Sequence, residues 1–354
     1  MNLIKRIEAF RKLSEFLTDF RINNNNDNDN LANAVNLASA HNQWFTIDNI
    51  LFSIQSIAKS IEKQAIESWI SNYKLETNHT SVSKIGVVMA GNLPLVGFHD
   101  FFYVLMSGNH IIAKLSSDDK YLLPAIADKL IEFEPEFADF ISFTENKLEN
   151  FDAVIATGSN NTARYFEYYF GKYPHIIRKN RNAVAVLSGN ETKDELAALG
   201  NDITQYFGMG CRSVSKLYIP KNYNFNNLLD SLTAFNKILD TTKYYNNYEY
   251  YKSIYLINLL PFYDNGSIIL KEENLISSPI SVVYYEFYDT IEDLNRFFAE
   301  NAEQIQCVVS NNTAINGAIP FGNAQSPTLM NYADGVDVME FLLGLRTSIF
   351  FDFS

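Results

Sequence analysis

The chain has 354 residues, 47% hydrophobic and 14% aromatic with 21 Tyr and 27 Phe, and a formal net charge of -13. At about 150 residues per domain this length implies two or three domains, and the apolar content excludes a disordered or fibrous chain. The acidic balance excludes nucleic acid as the expected partner, because affinity for a phosphate backbone comes from Lys and Arg displacing condensed counterions; a small anionic ligand needs a local cluster of basic residues or backbone donors instead.

Leu3, Ile4, Ile7, Phe10, Leu13, Phe16, Leu17 and Phe20 recur at three- and four-residue steps, which predicts an amphipathic helix with one buried face. Lys5, Arg6, Glu8, Arg11, Lys12 and Glu15 interrupt that segment, so neither a signal peptide nor a stable membrane insertion is expected, and the chain reads as cytoplasmic. The polar run from Asn23 to Asn30 has no apolar residue to bury and predicts an exposed, poorly ordered loop. From Leu31 to about Lys74 the helical pattern returns, with Thr46 as a cap.

Lys84 to Ala90 is a short apolar run ended by Gly91-Asn92-Leu93-Pro94, the pattern of a buried strand and a turn. His110 to Lys114 and Phe151 to Thr157 predict further strands, and Asp118 or Asp119 is placed to cap the helix after the second. This alternation predicts parallel β units of the dinucleotide-binding type, whose ligands gather at the carboxyl ends of the strands. Strands at Lys216 to Ile219, Ser281 to Phe287 and Ile305 to Val309 predict a second α/β domain starting near Tyr206.

The two cysteines, Cys211 and Cys307, suit neither a disulfide framework nor a zinc spacing. The histidines, His41, His79, His99, His110 and His175, are scattered with no pair at helical ligand spacing, so no metal is expected. Cys211 follows Gly208-Met209-Gly210 at the start of a predicted strand. Glycines let the backbone pass close to a ligand, and a cysteine there presents both its sulfur and its own N–H to one carbonyl, as thiol acyl transfer requires. The other reading is a small apolar residue in a tight turn, which is also the role assigned to Cys307 in its strand. Thr157-Gly158-Ser159 stands between a strand and a helix, where N–H groups and the helix dipole favour a phosphate or where Gly and Ser merely make the turn. Asn92 is placed either to donate to an oxyanion or to form its turn, and Lys114, with Ser116 and Ser117 after it, either to meet a ligand or to stay solvated.

Taken in order, these motifs resemble the aldehyde dehydrogenase superfamily and, within it, the LuxC-type acyl-CoA reductases. The resemblance runs from Asn42-Gln43-Trp44-Phe45-Thr46 to Phe321-Gly322-Asn323-Ala324-Gln325-Ser326-Pro327 and Tyr332 to Asp337. It implies an α/β, aldehyde-dehydrogenase-like fold: a helical N-terminal segment (1–80), a Rossmann-type NADP-binding domain (81–205), a catalytic cysteine domain (206–325) and a C-terminal return to the cofactor or oligomerisation region (326–354). Asn92 matches the superfamily's oxyanion asparagine, although Gly91 and Leu93 replace the usual aromatic neighbours. Lys114 matches the lysine on the adenine-side ribose, and Ser117 stands in place of a glutamate that would repel a 2′-phosphate, which implies NADPH over NADH. Thr157, Gly158 and Ser159 match the motif beside the pyrophosphate and nicotinamide, and Cys211 matches the nucleophile.

One departure matters for the chemistry. Near Arg178 to Ala183 the superfamily's hydrolytic glutamate has no counterpart, and Ile177 falls at its place. A second family glutamate is also unassigned, with Glu272 and Glu273 upstream of Ser277-Ser278-Pro279. Without the water-activating base, an acyl group on Cys211 survives for reduction. The resemblance therefore implies reduction of a long-chain fatty acyl-CoA to aldehyde with NADPH, the Asn92 amide and Cys211 N–H holding the oxyanion and Arg212 a candidate to favour the thiolate. It further implies a homodimer or homotetramer. The rival readings are a thiol acyltransferase or thioesterase with a decayed nucleotide site, and a non-catalytic acyl-CoA-binding module; an oxidising dehydrogenase is disfavoured by the missing glutamate.

Overall fold

The computed structural model describes residues 1–22, 30–74 and 82–348. Of the expected loop Asn23 to Asn30, residues 23–29 lie outside the described residues, as does His79, while Asn30 is instead the first residue of a helix. The chain divides into two compact units, Met1–Lys179 with Pro327–Ser354, and Asn180–Ser326.

The first unit opens with helices α1 (Leu3–Asp19), α2 (Asn30–His41), α3 (Ile47–Ser60) and α4 (Lys63–Ile70). Asn2 caps α1 by accepting from Lys5 N, and Thr46, the cap that the sequence predicts, caps α3 by accepting from Asn49 N. Phe10, Leu13 and Leu17 form the fully buried stripe of α1. The unit continues with β1 (Lys84–Val88), α5 (Phe98–Ser107), β2 (His110–Lys114), α6 (Leu122–Phe133), β3 (Ile141–Thr144), β4 (Ala153–Thr157), α7 (Asn160–Phe170) and β5 (His175–Arg178). These five strands make one parallel sheet in the order β3-β2-β1-β4-β5. The chain winds outward from β1 to β3 and then returns to the other side of β1, which puts the topological switch point between β1 and β4. The helices α1 to α4 share one apolar core with this sheet, so they form a layer of the first unit rather than a separate segment.

The second unit comprises β6 (Asn182–Val186), α8 (Lys193–Thr204), β7 (Val214–Pro220), α9 (Phe225–Leu232), α10 (Thr242–Ile257), β8 (Tyr263–Asp264), β9 (Ile269–Glu272), β10 (Val282–Tyr288), α11 (Ile291–Glu300) and β11 (Ile305–Val309). The sheet order is β11-β6-β7-β10-β9-β8, parallel except for β8. The expected boundary at Tyr206 moves to Asn180 for a physical reason: β6 pairs with both β7 and β11, and α8 buries Leu196, Leu199 and Ile203 in the same core. The last helix, α12 (Val338–Ser348), belongs to the first unit, where Val338, Met339 and Leu342 join its core.

Candidate functional site

In the first unit, the loops after β1, β2 and β4 all emerge at the carboxyl edge of one parallel sheet. Register pairs Val88 with Lys114 on one side and with Ala156 on the other, so the ends of the three strands lie level. Gly91 packs against the second loop so closely that an added Cβ would meet Ser116 Oγ at 2.2 Å. Leu95 has a left-handed backbone, with φ 59, and donates its N–H to Asp119 Oδ2 at 2.7 Å. Ser53 donates its hydroxyl to Pro94 O at 2.8 Å. Asn92 is therefore exposed at the tip of a loop that is braced on both sides.

Lys114 is half-buried and donates Nζ to Glu145 O at 3.0 Å, while its own carbonyl accepts from Met89 N at 3.1 Å. Ser116 is half-buried, its Oγ accepting from Asp118 N at 3.2 Å, and Ser117 is exposed, its carbonyl 2.9 Å from His41 Nε2. Neither Asp118 nor Asp119 caps α6, which begins after Tyr121 with no side-chain cap. Asp119 turns inward to Leu95 instead, and burial pushes its carboxyl up to about 7.

Thr157 ends β4, half-buried, and the half-buried Gly158 donates its N–H to Arg178 O at 3.3 Å. A Cβ on Gly158 would stand 2.9 Å from the Phe166 ring and 3.1 Å from Thr162, so glycine is what lets the first turn of α7 fold back over the strand end. Ser159 is the N-cap, accepting from Thr162 N at 3.2 Å. Beneath this turn, Arg178 makes a buried, two-pronged pair with Asp100 of α5, at 2.5 and 2.9 Å. Ile177, half-buried in β5, puts an apolar side chain at the place that the resemblance compares with the hydrolytic glutamate.

Cys211 lies in the second unit, in a turn three residues ahead of β7 rather than at the strand's first residue. The turn closes by Ser213 N donating to Gly210 O at 2.9 Å and Gly210 N donating to Ser213 Oγ at 3.1 Å. Just before it, Tyr206, Phe207 and Gly208 are all left-handed, with φ of 53, 60 and 75. Two of these are L residues in a conformation that costs energy and persists only where the surroundings impose it. The Cys211 thiol is half-buried and in no disulfide. Cys307, also half-buried, packs on the second-unit core in β11, and burial pushes its thiol up to about 11.

The two upstream glutamates differ. Glu272 is exposed at the end of β9, whereas Glu273 accepts from Lys271 Nζ and Asn274 N, each at 3.0 Å, and Lys271 holds its carboxyl below the usual range. Among the described residues, no group of three or more His, Cys, Asp and Glu could hold a metal ion.

Sequence reasoning missed Asp202. It is fully buried on α8 and accepts from Gly322 N at 2.6 Å and Ala324 N at 3.0 Å. Burial pushes its carboxyl up to about 6 against those two bonds and the nearby Arg212. The signal was available: an acid follows Leu199 at a three-residue step, inside the apolar stripe of an amphipathic helix.

A family model described as "Acyl-CoA reductase (LuxC)" matches residues 25–234. The long-chain acyl-protein thioester reductase 2 of Photobacterium leiognathi is 21% identical over 171 residues, which is 44% of this chain and 36% of that relative. The match thus spans little more than a third of the curated protein. Among solved structures, an indole-3-acetaldehyde dehydrogenase complexed with NAD+ superposes with a TM-score of 0.65 at 15% identity, covering 90% of this chain and 75% of its own. Aldehyde dehydrogenase 21 from Physcomitrella patens, complexed with succinate, gives 0.67 at 12% identity, covering 98% of this chain and 84% of its own. At these identities the likeness establishes the fold, which is the expected aldehyde-dehydrogenase-like α/β architecture.

Proposed function

The chain belongs to the acyl-CoA reductase (LuxC) family, and from that premise we propose that it reduces a long-chain fatty acyl-CoA to the aldehyde with NADPH, through a thioacyl group on Cys211. The observation that carries the reading is the half-buried thiol of Cys211 on a hydrogen-bonded turn of glycine and serine, directly after the left-handed stretch Tyr206 to Gly208. In the proposed step the sulfur attacks the thioester carbonyl, the bond to the CoA sulfur breaks, and CoA leaves as its thiol. The Cys211 N–H and the Asn92 amide are the donors that the family resemblance assigns to the oxyanion.

The first unit's residues fit a dinucleotide. Its sheet has a switch point between β1 and β4, a glycine at 158 keeps a cradle that a Cβ would fill, and a serine-capped helix begins directly after it. We assign Thr157, Gly158 and Ser159 to the pyrophosphate side and Lys114, Ser116 and Ser117 to the ribose side. Ser117 brings no negative charge to a 2′-phosphate, the basis for NADPH over NADH. When bound, NADPH would supply the hydride that reduces the thioacyl group, with Cys211 leaving as the thiolate and the aldehyde released. Ile177 offers no carboxylate to activate water, so the acyl group on sulfur is spared hydrolysis. We further propose cytoplasmic residence and a homodimeric or homotetrameric assembly; among the described residues no helix is long and apolar enough to cross a membrane.

Intact-mass spectrometry after incubation with acyl-CoA and no NADPH tests this. The expected result is one acyl adduct on Cys211, absent from Cys211→Ala and discharged with oxidation of NADPH when the cofactor is added. An adduct that never consumes NADPH makes the protein a thiol acyltransferase or thioesterase. No adduct at all refutes the reading.

A further inference from the structure

Resting on the reading of Cys211 as nucleophile, we propose that Asp202 is a positioning residue for that thiol, acting through the segment Phe321 to Gln325. The carboxylate lies on the helix that leads into the left-handed stretch at Tyr206 to Gly208, and each of its oxygens accepts one backbone N–H, from Gly322 and Ala324. Gly322, left-handed with φ 84, lies so close to α8 that a Cβ would meet Ala198 Cβ at 3.1 Å. The segment is thereby fixed to the helix at two successive points.

From the same segment two bonds reach the nucleophile's turn. Arg212 donates Nε to Ala324 O at 2.5 Å, and Gln325 donates Nε2 to Ser213 Oγ at 3.1 Å. That serine oxygen is also the acceptor for Gly210 N. Both chain neighbours of Cys211 are thus tethered, Arg212 directly and Gly210 through Ser213. The result is a closed circuit: α8, the left-handed stretch, the cysteine turn, residues 321–325, and back to α8 at Asp202.

The chemistry explains why an acid occupies this buried position. A carboxylate offers two strong acceptors, so it can hold two N–H groups of one loop where an amide oxygen holds them less firmly. Arg212 lies close enough to favour its charged form, so the residue beside the nucleophile also stabilises the acid that positions it. With both oxygens committed to backbone N–H groups, Asp202 is not a proton carrier for the reaction. Its contribution is geometric, and reactions of this kind lose rate steeply when the attacking atom is misplaced by even an ångström.

The test uses the full chain, with Asp202→Asn to turn one acceptor into a donor and Gln325→Leu to cut the second tether while leaving the buried acid alone. Acylation of Cys211 by acyl-CoA is followed in a single turnover, alongside its alkylation by iodoacetamide, NADPH affinity and far-UV circular dichroism. The limiting acylation rate is expected to fall by about ten- to a hundredfold in Asp202→Asn and by about three- to tenfold in Gln325→Leu. The acyl-CoA concentration at half that rate, and the NADPH affinity, should stay within about twofold, a split that general loosening of the fold would not produce. Acylation rates within about twofold of wild type in the folded variants overturn the proposal; if Asp202→Asn does not fold, Gln325→Leu decides it. If wild type forms no adduct, it is the nucleophile reading that has failed, and the alkylation rate at Cys211 in the variants still decides whether Asp202 positions the thiol.

Discussion

Replacing Asp119 by asparagine probes the loop that carries Asn92. Asp119 is 7% exposed; its Oδ2 accepts from Leu95 N at 2.7 Å, and its Oδ1 has no hydrogen-bond partner among the described residues. Burial raises the carboxyl from 3.8 to about 7, opposed by the Leu95 bond. Because the folded value exceeds the unfolded one, the group's contribution to stability is fully present below pH 3.8 and is lost as the pH climbs through about 7. At about 1.4 kcal/mol per pKa unit, a rise of roughly three units removes about 3–4 kcal/mol of unfolding free energy between pH 4 and pH 8. Asparagine keeps an acceptor for Leu95 and cannot ionise. Its amide nitrogen, set where Oδ1 was, would lack an acceptor, a pH-independent cost of about 1–3 kcal/mol. Asp119→Asn should therefore be the less stable protein near pH 4 and equal or superior near pH 8. Urea unfolding at a series of pH values reads this directly. Two stability curves that run parallel, their separation constant to within about 1 kcal/mol, would refute the reasoning.

Iodoacetamide at pH 7.5 should label Cys211 well before Cys307, whose thiol burial has pushed up to about 11, and peptide mapping that finds Cys307 modified first would contradict the assignment of roles. Gly158→Val places a side chain against Phe166 and Thr162, and should weaken NADPH binding by about tenfold or more, or about 1.4 kcal/mol, while the cofactor-free acyl adduct on Cys211 still forms. Equal NADPH affinity in a fluorescence titration would remove the pyrophosphate role from that turn. Arg178→Met strands Asp100 in a buried site and should cost about 3–5 kcal/mol in chemical unfolding, much of which Arg178→Met with Asp100→Leu recovers.

What the sequence disclosed follows from how locally each feature is specified. The strands β1, β2, β4, β7, β10 and β11 are predominantly apolar runs, and each lies within two residues of where those runs predict it or extends them. By contrast, β3 and β5 are the two edges of the first sheet, four residues each, and carry Ser142, His175 and Arg178 among their apolar residues. Their register comes from neighbours, not from their own pattern. The boundary at Asn180 was hidden because β6 follows directly on the charged stretch Arg178-Lys179-Asn180-Arg181, which reads as a loop inside a domain. Caps such as Thr46 and Ser159 are legible because their partners lie three residues away.

The partners of the buried acids were illegible for the opposite reason. Asp119 meets its partner across 24 residues and Asp202 its partners across 120 and 122, distances at which no motif survives. Yet the two share one arrangement. Each is buried with a raised pKa and accepts backbone N–H groups, Asp119 that of Leu95 in the Asn92 loop and Asp202 those of Gly322 and Ala324 in the segment tethered to the Cys211 turn. Such a destabilising choice, beside the Asn92 loop and behind the segment that tethers the Cys211 turn, is the pattern expected where stability has been given up to fix the backbone that the proposed chemistry uses. An acid set inside an apolar helical stripe, as Asp202 is, therefore shows from the amino-acid pattern that a buried partner is needed, while only the fold shows that the partner is a distant segment's N–H groups.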